Sequence, residues 1–211
     1  MKMIAKTLVA AALAAGFAAA SSAATVVPIS AVASSSFGGF GSSNAIDANP
    51  LSDWATLGQG TGAGGNILLD LGGHFNLTGA SITDRVTSGA GNGAFVGGTT
   101  DFTTAYQLTF YSDAAGMTSV GSYLSPILAI PGGPITISSF LTSPTFGSIP
   151  VRSVRYTILT TAGGDLGDNA GLSNISFEGA RVPEPATWGL MIVGFGMVGL
   201  SARRRKAAVT A

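Results

Sequence analysis

Apolar residues in the central part of the chain come in short runs in which every second residue is apolar. The alternation is clearest at residues 106–110 and 154–158. Successive side chains of a β-strand point to opposite faces, so a period of two indicates strands with one buried face. Clusters of Gly, Asn, Asp, Ser and Pro bound the runs and delimit eight candidate strands: 26–32, 53–57, 66–71, 77–83, 104–111, 135–141, 153–160 and 172–177.

These strands predict an all-β domain, a single β-sandwich or jelly roll over residues 25–181. A long helical pattern occurs only in the two end segments, 1–24 and 182–211. The chain has no cysteine, so burial and backbone pairing must supply its stability. About 158 residues are enough for one domain with its own core.

The first 24 residues have the three parts of a secretory signal peptide. Two lysines precede an apolar stretch at 8–20, and small residues follow at 21–24. Signal peptidase cuts after small residues, so cleavage is predicted after Ala23 or Ala24. The sequence therefore predicts a signal helix, handling by the secretion translocon, and export across the inner membrane.

The segment 182–211 contains a Pro-Glu-Pro triplet, an apolar run and a basic cluster. Proline disfavours helix in the residue before it, so the triplet predicts an extended, accessible peptide. The run at 188–202 predicts a transmembrane helix of about 22 Å, shorter than a hydrocarbon core of about 30 Å. The arginines that follow predict a cytoplasmic end. The residues concerned are Pro183, Glu184, Pro185, Trp188, Arg203, Arg204, Arg205 and Lys206.

These elements, in this order, closely resemble the PEP-CTERM sorting signal of Gram-negative bacteria. The resemblance implies that an exosortase processes the chain near the Pro-Glu-Pro motif. It further implies a stage anchored in the inner membrane, followed by delivery to the cell surface or to an extracellular polysaccharide matrix. An ordinary C-terminal tail anchor is the alternative.

The formal net charge of zero conceals an acidic central domain. Six of the ten basic residues lie in the two end segments, which leaves four arginines against nine acidic residues between 25 and 182. The resulting charge of minus five and the absence of lysine argue against nucleic-acid binding, which needs clustered basic residues. The same charge is compatible with divalent cations and neutral sugars.

Several segments resemble discoidin and coagulation-factor C-type domains, which are galactose-binding-like jelly rolls. Residues 44–47 with 53–56 resemble their opening loop, and 67–72 resembles a strand ending in Asp-Leu-Gly. Residues 106–112, 151–156 and 172–178 resemble later strands, so the likeness spans about residues 36–180. Ala48 stands where the family usually has glycine, and residues 88–98 form a Gly-rich insertion where a binding loop is expected.

The resemblance implies a structural calcium site as the one cofactor. Carboxylate and amide oxygens suit this ion, and the predicted ligands are Asp47, Asn49, Asp53 and Glu178. Asp and Asn are also ordinary turn residues, which is the alternative. Trp54 falls in an alternating strand and is predicted to be structural. The predicted ligand loop, 87–104, contributes Asn92, Phe95 and Asp101, because binding residues concentrate on loops of rigid scaffolds.

The sequence predicts no enzymatic activity. His74 is the only histidine and no serine lies in a nucleophile-elbow pattern. The sequence therefore predicts an exported surface or matrix protein that binds or packs with extracellular polysaccharide. The alternatives are a structural surface-coat component without a specific ligand and, ranked lower, a glycan hydrolase.

Overall fold

The computed structural model describes residues 23–49, 52–57, 62–85, 102–128, 136–139, 149–162, 169–183 and 189–199. Strands dominate these ranges, and a 3₁₀ helix occupies Ser42–Ile46. The strands are β1 (Ala24–Val26), β2 (Ser30–Ala33), β3 (Trp54–Ala55), β4 (Asn66–Thr83), β5 (Phe102–Tyr111), β6 (Ser119–Leu124), β7 (Thr136–Ser139), β8 (Val151–Ala162), β9 (Gly171–Leu172) and β10 (Asn174–Arg181).

The strands form an antiparallel sandwich in which β4 belongs to both layers. Residues 66–70 of β4 pair with β2 and β8, and the first layer continues through β5 to β6. Residues 75–83 of β4 pair with β10 and β7, and β1 pairs with the far side of β10. The short pair β3 and β9 lies apart from this sheet. The predicted all-β sandwich is confirmed.

Strand β4 joins two predicted strands, 66–71 and 77–83, into one. The pairing register shifts between Asp70 and Phe75, where the chain crosses from one layer to the other. Gly72 has a φ of 74° at this point, a conformation in which glycine has no steric penalty. The prediction of a break was wrong because β4 continues through this irregularity, which interrupts the pairing register without ending the strand.

The predicted strand 26–32 divides into β1 and β2. Pro28 lies between them, and its missing N–H cannot join a ladder of hydrogen bonds. The chain changes layers here, since β1 pairs with β10 whereas β2 pairs with β4. Strand β6 had no predicted counterpart, because its side chains are exposed or half-buried and its apolar pattern is weak.

The core fills the space between the two layers. Buried and more exposed residues alternate along most of the length of the long strands, as the sequence pattern predicts. The stacked rings of Tyr106 and Tyr156, with centroids 5.2 Å apart, form part of its centre. Other fully buried large side chains are Trp54, Ile67, Leu69, Ile82, Leu108, Phe110, Ile158, Leu172 and Phe177.

A helix, α1, covers residues 189–199 within the predicted transmembrane segment 188–202. Most of its large apolar side chains, including Leu190, Ile192 and Met197, are exposed. In the part of the chain that the structure describes, no helix has the length and apolar character needed to cross a membrane. The signal segment up to residue 22, Trp188 and the arginine cluster lie outside the described residues.

Candidate functional site

The first and last strands of the domain, β1 and β10, bring the chain into and out of the sandwich at the same end. Ala24 of β1 pairs with Gly179 of β10. The N–H of Val182 then donates to the carbonyl of His74 at 2.8 Å, beside the layer crossover. We call this the proximal end. The sorting triplet starts one residue after that last backbone hydrogen bond.

The opposite, distal end is where β10 begins and β4 finishes. Asn174 pairs with Thr83, and the N–H of Ser173 donates to the carbonyl of Thr83 at 2.8 Å. Arg85 and Phe102, which flank residues 86–101, belong to this end. The predicted ligand residues Asn92, Phe95 and Asp101 lie within that interval, outside the described residues.

A buried ion pair ties the distal end together. Nε of Arg85 donates to Oδ2 of Asp53 at 2.6 Å, and both side chains are buried. The guanidinium also donates to the carbonyl of Asn169 and lies 5.2 Å from the ring centroid of Phe40. Residues distant in sequence are thereby fixed around one cation.

The Asp84 carboxylate connects Arg85 and Thr103, which lie on the two sides of the interval 86–101. Its Oδ1 accepts the N–H of Arg85 at 2.8 Å, and its Oδ2 accepts the N–H of Thr103 at 3.1 Å. Burial raises the pKa of Asp84 to about 7, against the lowering effect of these bonds and of the Arg85 charge. Burial likewise raises the pKa of Tyr156, and the Asp84 charge adds to the rise.

The loop that carries the predicted calcium ligands is closed by its own hydrogen bonds. Oδ1 of Asp47 accepts the N–H of Asn49 at 2.8 Å, and the hydroxyl of Ser52 donates to Oδ2 at 2.6 Å. The amide of Asn44 donates to the carbonyl of Asp53 at 3.0 Å. Ala48, which replaces the expected glycine, has a φ of 59°.

The structure does not bring the predicted calcium ligands together. The carboxylate of Asp53 is paired with Arg85. Glu178 is exposed on β10, opposite Thr25 and Gly79. Among the described residues, no three His, Cys, Asp or Glu side chains form a group that could hold a metal ion. Asp47 and Asn49 are neighbours, joined by the hydrogen bond described above.

Two residues considered for chemistry have structural surroundings. Trp54 is fully buried, and its indole N–H donates to the carbonyl of Ser35 at 3.0 Å, so its predicted core role is confirmed. Nε2 of His74 lies 3.0 Å from the carbonyl oxygen of Ser112, which ties the crossover to the turn after β5.

The sequence did not single out Asp84, Arg85, Thr103 or Asn169 as parts of the distal end. One signal was present: an adjacent acid and base, in a chain with 9% charged residues, directly before a Gly-rich insertion. Their partners lie 19 to 84 residues away in sequence, and local patterns do not reveal such pairings.

The C-terminal segment matches a known family, the PEP-CTERM protein-sorting motif, over residues 181–206. The chain therefore carries this sorting motif at the proximal end of a β-sandwich. No curated protein sequence matches the chain.

The described fold resembles carbohydrate-binding modules. The family 32 module of NanJ from C. perfringens, solved in complex with galactose, is 19% identical, with a TM-score of 0.50 over 74% of this chain and 98% of that one. A CBM32 module from a family 31 glycoside hydrolase of Clostridium perfringens is also 19% identical, with a TM-score of 0.50 over 70% and 88% of the two chains. At this identity the likeness defines the fold.

Proposed function

We propose that this chain is an exported protein that an exosortase processes at its C-terminal motif and whose β-sandwich binds extracellular polysaccharide at the distal end. The observation that carries the proposal is the position of the motif. Its triplet follows Val182 at the proximal end, and Pro183 is exposed. The distal end is therefore free to face away from whatever holds the C-terminus.

Processing at this position would leave the domain whole. All ten described strands precede Val182, whereas α1 and the arginine cluster follow the triplet. A cut near Pro183 separates the sandwich from the apolar segment without breaking a described strand pair. The expected route runs from the translocon to a stage held at the inner membrane, and then to the cell surface or matrix.

The sugar ligand is supported by fold and composition together. The NanJ module, a structural neighbour, was solved with galactose. The acidic, lysine-free domain suits neutral sugars better than phosphate backbones. The buried contacts of Asp84 and Arg85 provide a rigid base next to residues 86–101, and rigidity lowers the entropic cost of binding. The activity proposed is binding, without catalysis.

Binding is tested with the full chain on a glycan array and by pull-down with extracellular polysaccharide from the native host. Asn92→Ala and Phe95→Ala should abolish binding. Met117→Ala, at an exposed turn of the proximal end, is the control and should leave it unchanged. Failure to bind any glycan would favour the structural surface-coat alternative. Release of new reducing ends would instead reveal a hydrolase.

Sorting is tested by mass spectrometry of the mature protein from the native host, with and without the exosortase. We expect an N-terminus at Ala24 or Thr25 and loss of residues 203–206 that depends on the exosortase. An intact basic tail in the wild-type host would overturn the sorting assignment.

Calcium remains a proposal from the sequence. The melting temperature is compared in excess calcium and in a chelator. A rise with calcium that Asp47→Asn abolishes would support the ion, whereas equal melting temperatures would exclude a stabilising role for it.

A further inference from the structure

Four large apolar side chains are exposed on loops of the proximal end. Val27 is 48% exposed, Ile29 67%, Met117 82% and Ile149 51%. They come from three separate connections: the one between β1 and β2, the turn between β5 and β6, and the residues that lead into β8. An exposed apolar residue is ordinary by itself, and others are exposed elsewhere on the domain. These four matter because their three loops lie at the end from which the chain leaves towards α1.

These connections meet at the layer crossover. The side chain of Ile29 lies against Gly72, where an added Cβ would come within 3.0 Å of it. Ser112, at the start of the turn, contacts His74 at 3.0 Å. Val151, two residues after Ile149, pairs with Phe75. The three loops therefore surround residues 72–75.

A pocket of about 360 Å³ opens beside the crossover. Apolar side chains from both layers supply much of its lining, including Val26, Val27, Leu71 and Phe75. Arg181, the last residue of β10, forms part of its rim and is exposed. The apolar surface thus continues inward from the exposed loops.

The chain leaves this end towards α1 by a short connection. Val182 makes the last described backbone bond of the domain, and α1 starts at residue 189. The connection from Val182 to residue 189 spans at most about 25 Å when fully extended. Because the side chains of Leu190, Ile192, Val193 and Met197 are exposed and apolar, α1 has a surface that suits contact with lipid. A domain tethered so closely would lie near any bilayer that holds α1.

Four charged residues of the proximal end, two basic and two acidic, sum to a formal charge of zero. Arg152 and Asp70 neutralise each other, with Nε 3.0 Å from Oδ1. Arg181 is basic and exposed, so it favours anionic headgroups. Asp113 is the acidic residue of the turn, and its carboxylate accepts the N–H groups of Met117 and Thr118.

We infer that the proximal end is a membrane-contact surface. While α1 is held in the bilayer before sorting, Val27, Ile29, Met117 and Ile149 rest in the headgroup region of the leaflet that faces the domain. This inference rests on the proposed function, since it needs the anchored stage. It adds a lipid partner and an orientation, because the distal end then points straight away from the membrane.

The absence of cysteine allows site-specific labelling to test the contact. Full chains carrying Met117→Cys or Leu57→Cys, each with a fluorescent label, are reconstituted into vesicles of phosphatidylethanolamine and phosphatidylglycerol that contain a brominated lipid quencher. Leu57 is the matched control, because it is 65% exposed and adjoins Thr56, whose N–H bonds Ala170 at the distal end. We expect quenching at residue 117 and none at residue 57. Equal quenching at both positions, or none at residue 117, would overturn the inference.

Two further variants separate contact from simple tethering. A flexible Gly-Ser insertion after Val182 should leave the quenching at residue 117 intact, because apolar contacts hold the surface down. Combined Ile29→Ser and Ile149→Ser substitutions should remove the quenching in the chain with the insertion. Loss of quenching from the insertion alone would show mere tethering and overturn the inference.

The same samples distinguish failure of the inference from failure of the proposed function. Vesicle flotation reports whether the C-terminal segment binds lipid at all. A chain that floats without quenching at residue 117 refutes only the contact surface. A chain that does not float refutes the anchored stage as well. If residue 117 is not quenched and the chain instead self-associates as its concentration rises, the surface belongs to a contact with a second copy of the chain.

Discussion

Nε of Arg85 lies 2.6 Å from Oδ2 of Asp53, and the two side chains are only 5% and 9% exposed. The pair connects the end of β4 to the residue before β3. Burial of two charges costs solvation energy, which their attraction and further hydrogen bonds must offset. The hydrogen bond from Arg85 to the carbonyl of Asn169 links the same cation to the segment that leads into β9, the partner of β3.

Removal of one partner should therefore be costly. Asp53→Ala leaves the Arg85 cation buried without its counterion, and we expect a loss of about 3–5 kcal/mol in the free energy of unfolding. Urea denaturation measures the change. The double variant Asp53→Ala with Arg85→Leu should lose less than the sum of the single losses. Arg181→Ala, at an exposed position, is the control and should change the value by less than about 0.5 kcal/mol. A similar small effect for Asp53→Ala would contradict a stabilising role.

Asp84 should affect stability in the opposite sense to a salt-bridged carboxylate. Folding raises its pKa from 3.8 to about 7, so between these values the folded protein keeps a proton that the unfolded chain releases. Its contribution to the free energy of unfolding is complete below about pH 4 and declines towards about pH 7, by up to about 1.4 kcal/mol per pH unit. The stability advantage of the wild type over Asp84→Asn, which does not titrate, should shrink over that range.

Urea denaturation at a series of pH values checks the Asp84 prediction. Asp113 provides the control, because the N–H groups of Thr118 and Met117 lower its pKa below 3.8. Its contribution is present above that value and is lost as the pH falls through the lowered pKa, so Asp113→Asn should change the profile only in acid. An advantage of the wild type over Asp84→Asn that stays constant from pH 4 to 7 would disprove the raised pKa.

Much of the sandwich could be predicted from local pattern. The alternation at residues 106–110 and 154–158 marks the central parts of β5 and β8 because it records burial on one face. Pattern failed where the chain changes layers. One predicted strand is divided at Pro28, and two predicted strands are continuous through Gly72. Each outcome depends on which distant strand offers hydrogen bonds, and a local pattern does not contain that information.

The distal end was less predictable for the same reason. The composition around Arg85 indicates a loop boundary but does not select Asp53, 32 residues away, as the counterion. The predicted calcium ligands illustrate the same limit. The sequence pointed to these acidic residues but did not reveal which groups each of them contacts in the fold. One of them, Asp53, serves the ion pair, and Glu178 lies on an exposed strand face.

Gly171 should be indispensable for the pairing of β3 and β9. A Cβ at this position would overlap the carbonyl oxygen of Trp54, a backbone atom that cannot rotate away. We expect Gly171→Ala to lower the free energy of unfolding by about 3 kcal/mol, as overpacking does when the backbone must shift. Gly38→Ala is the control, because nothing lies within 4 Å of its Cβ position, and it should be neutral or stabilising in thermal unfolding. Equal melting temperatures for the two variants would show that β3 and β9 move apart freely.

Ala48 should be a site where glycine stabilises the protein. Its φ of 59° crowds the Cβ against the backbone, and the bonds of Asp47 to the N–H of Asn49 and to the hydroxyl of Ser52 hold the turn in place. Ala48→Gly removes the crowding and should raise the free energy of unfolding by about 1 kcal/mol, reduced by the extra entropy of the unfolded chain. Thermal unfolding measures the shift. Ala114→Gly, in an exposed turn without a positive φ, should instead lower the melting temperature, because there glycine only adds unfolded-state entropy. A decrease of the same size for both variants would mean that Ala48 is not strained and that its replacement of glycine has no energetic cost.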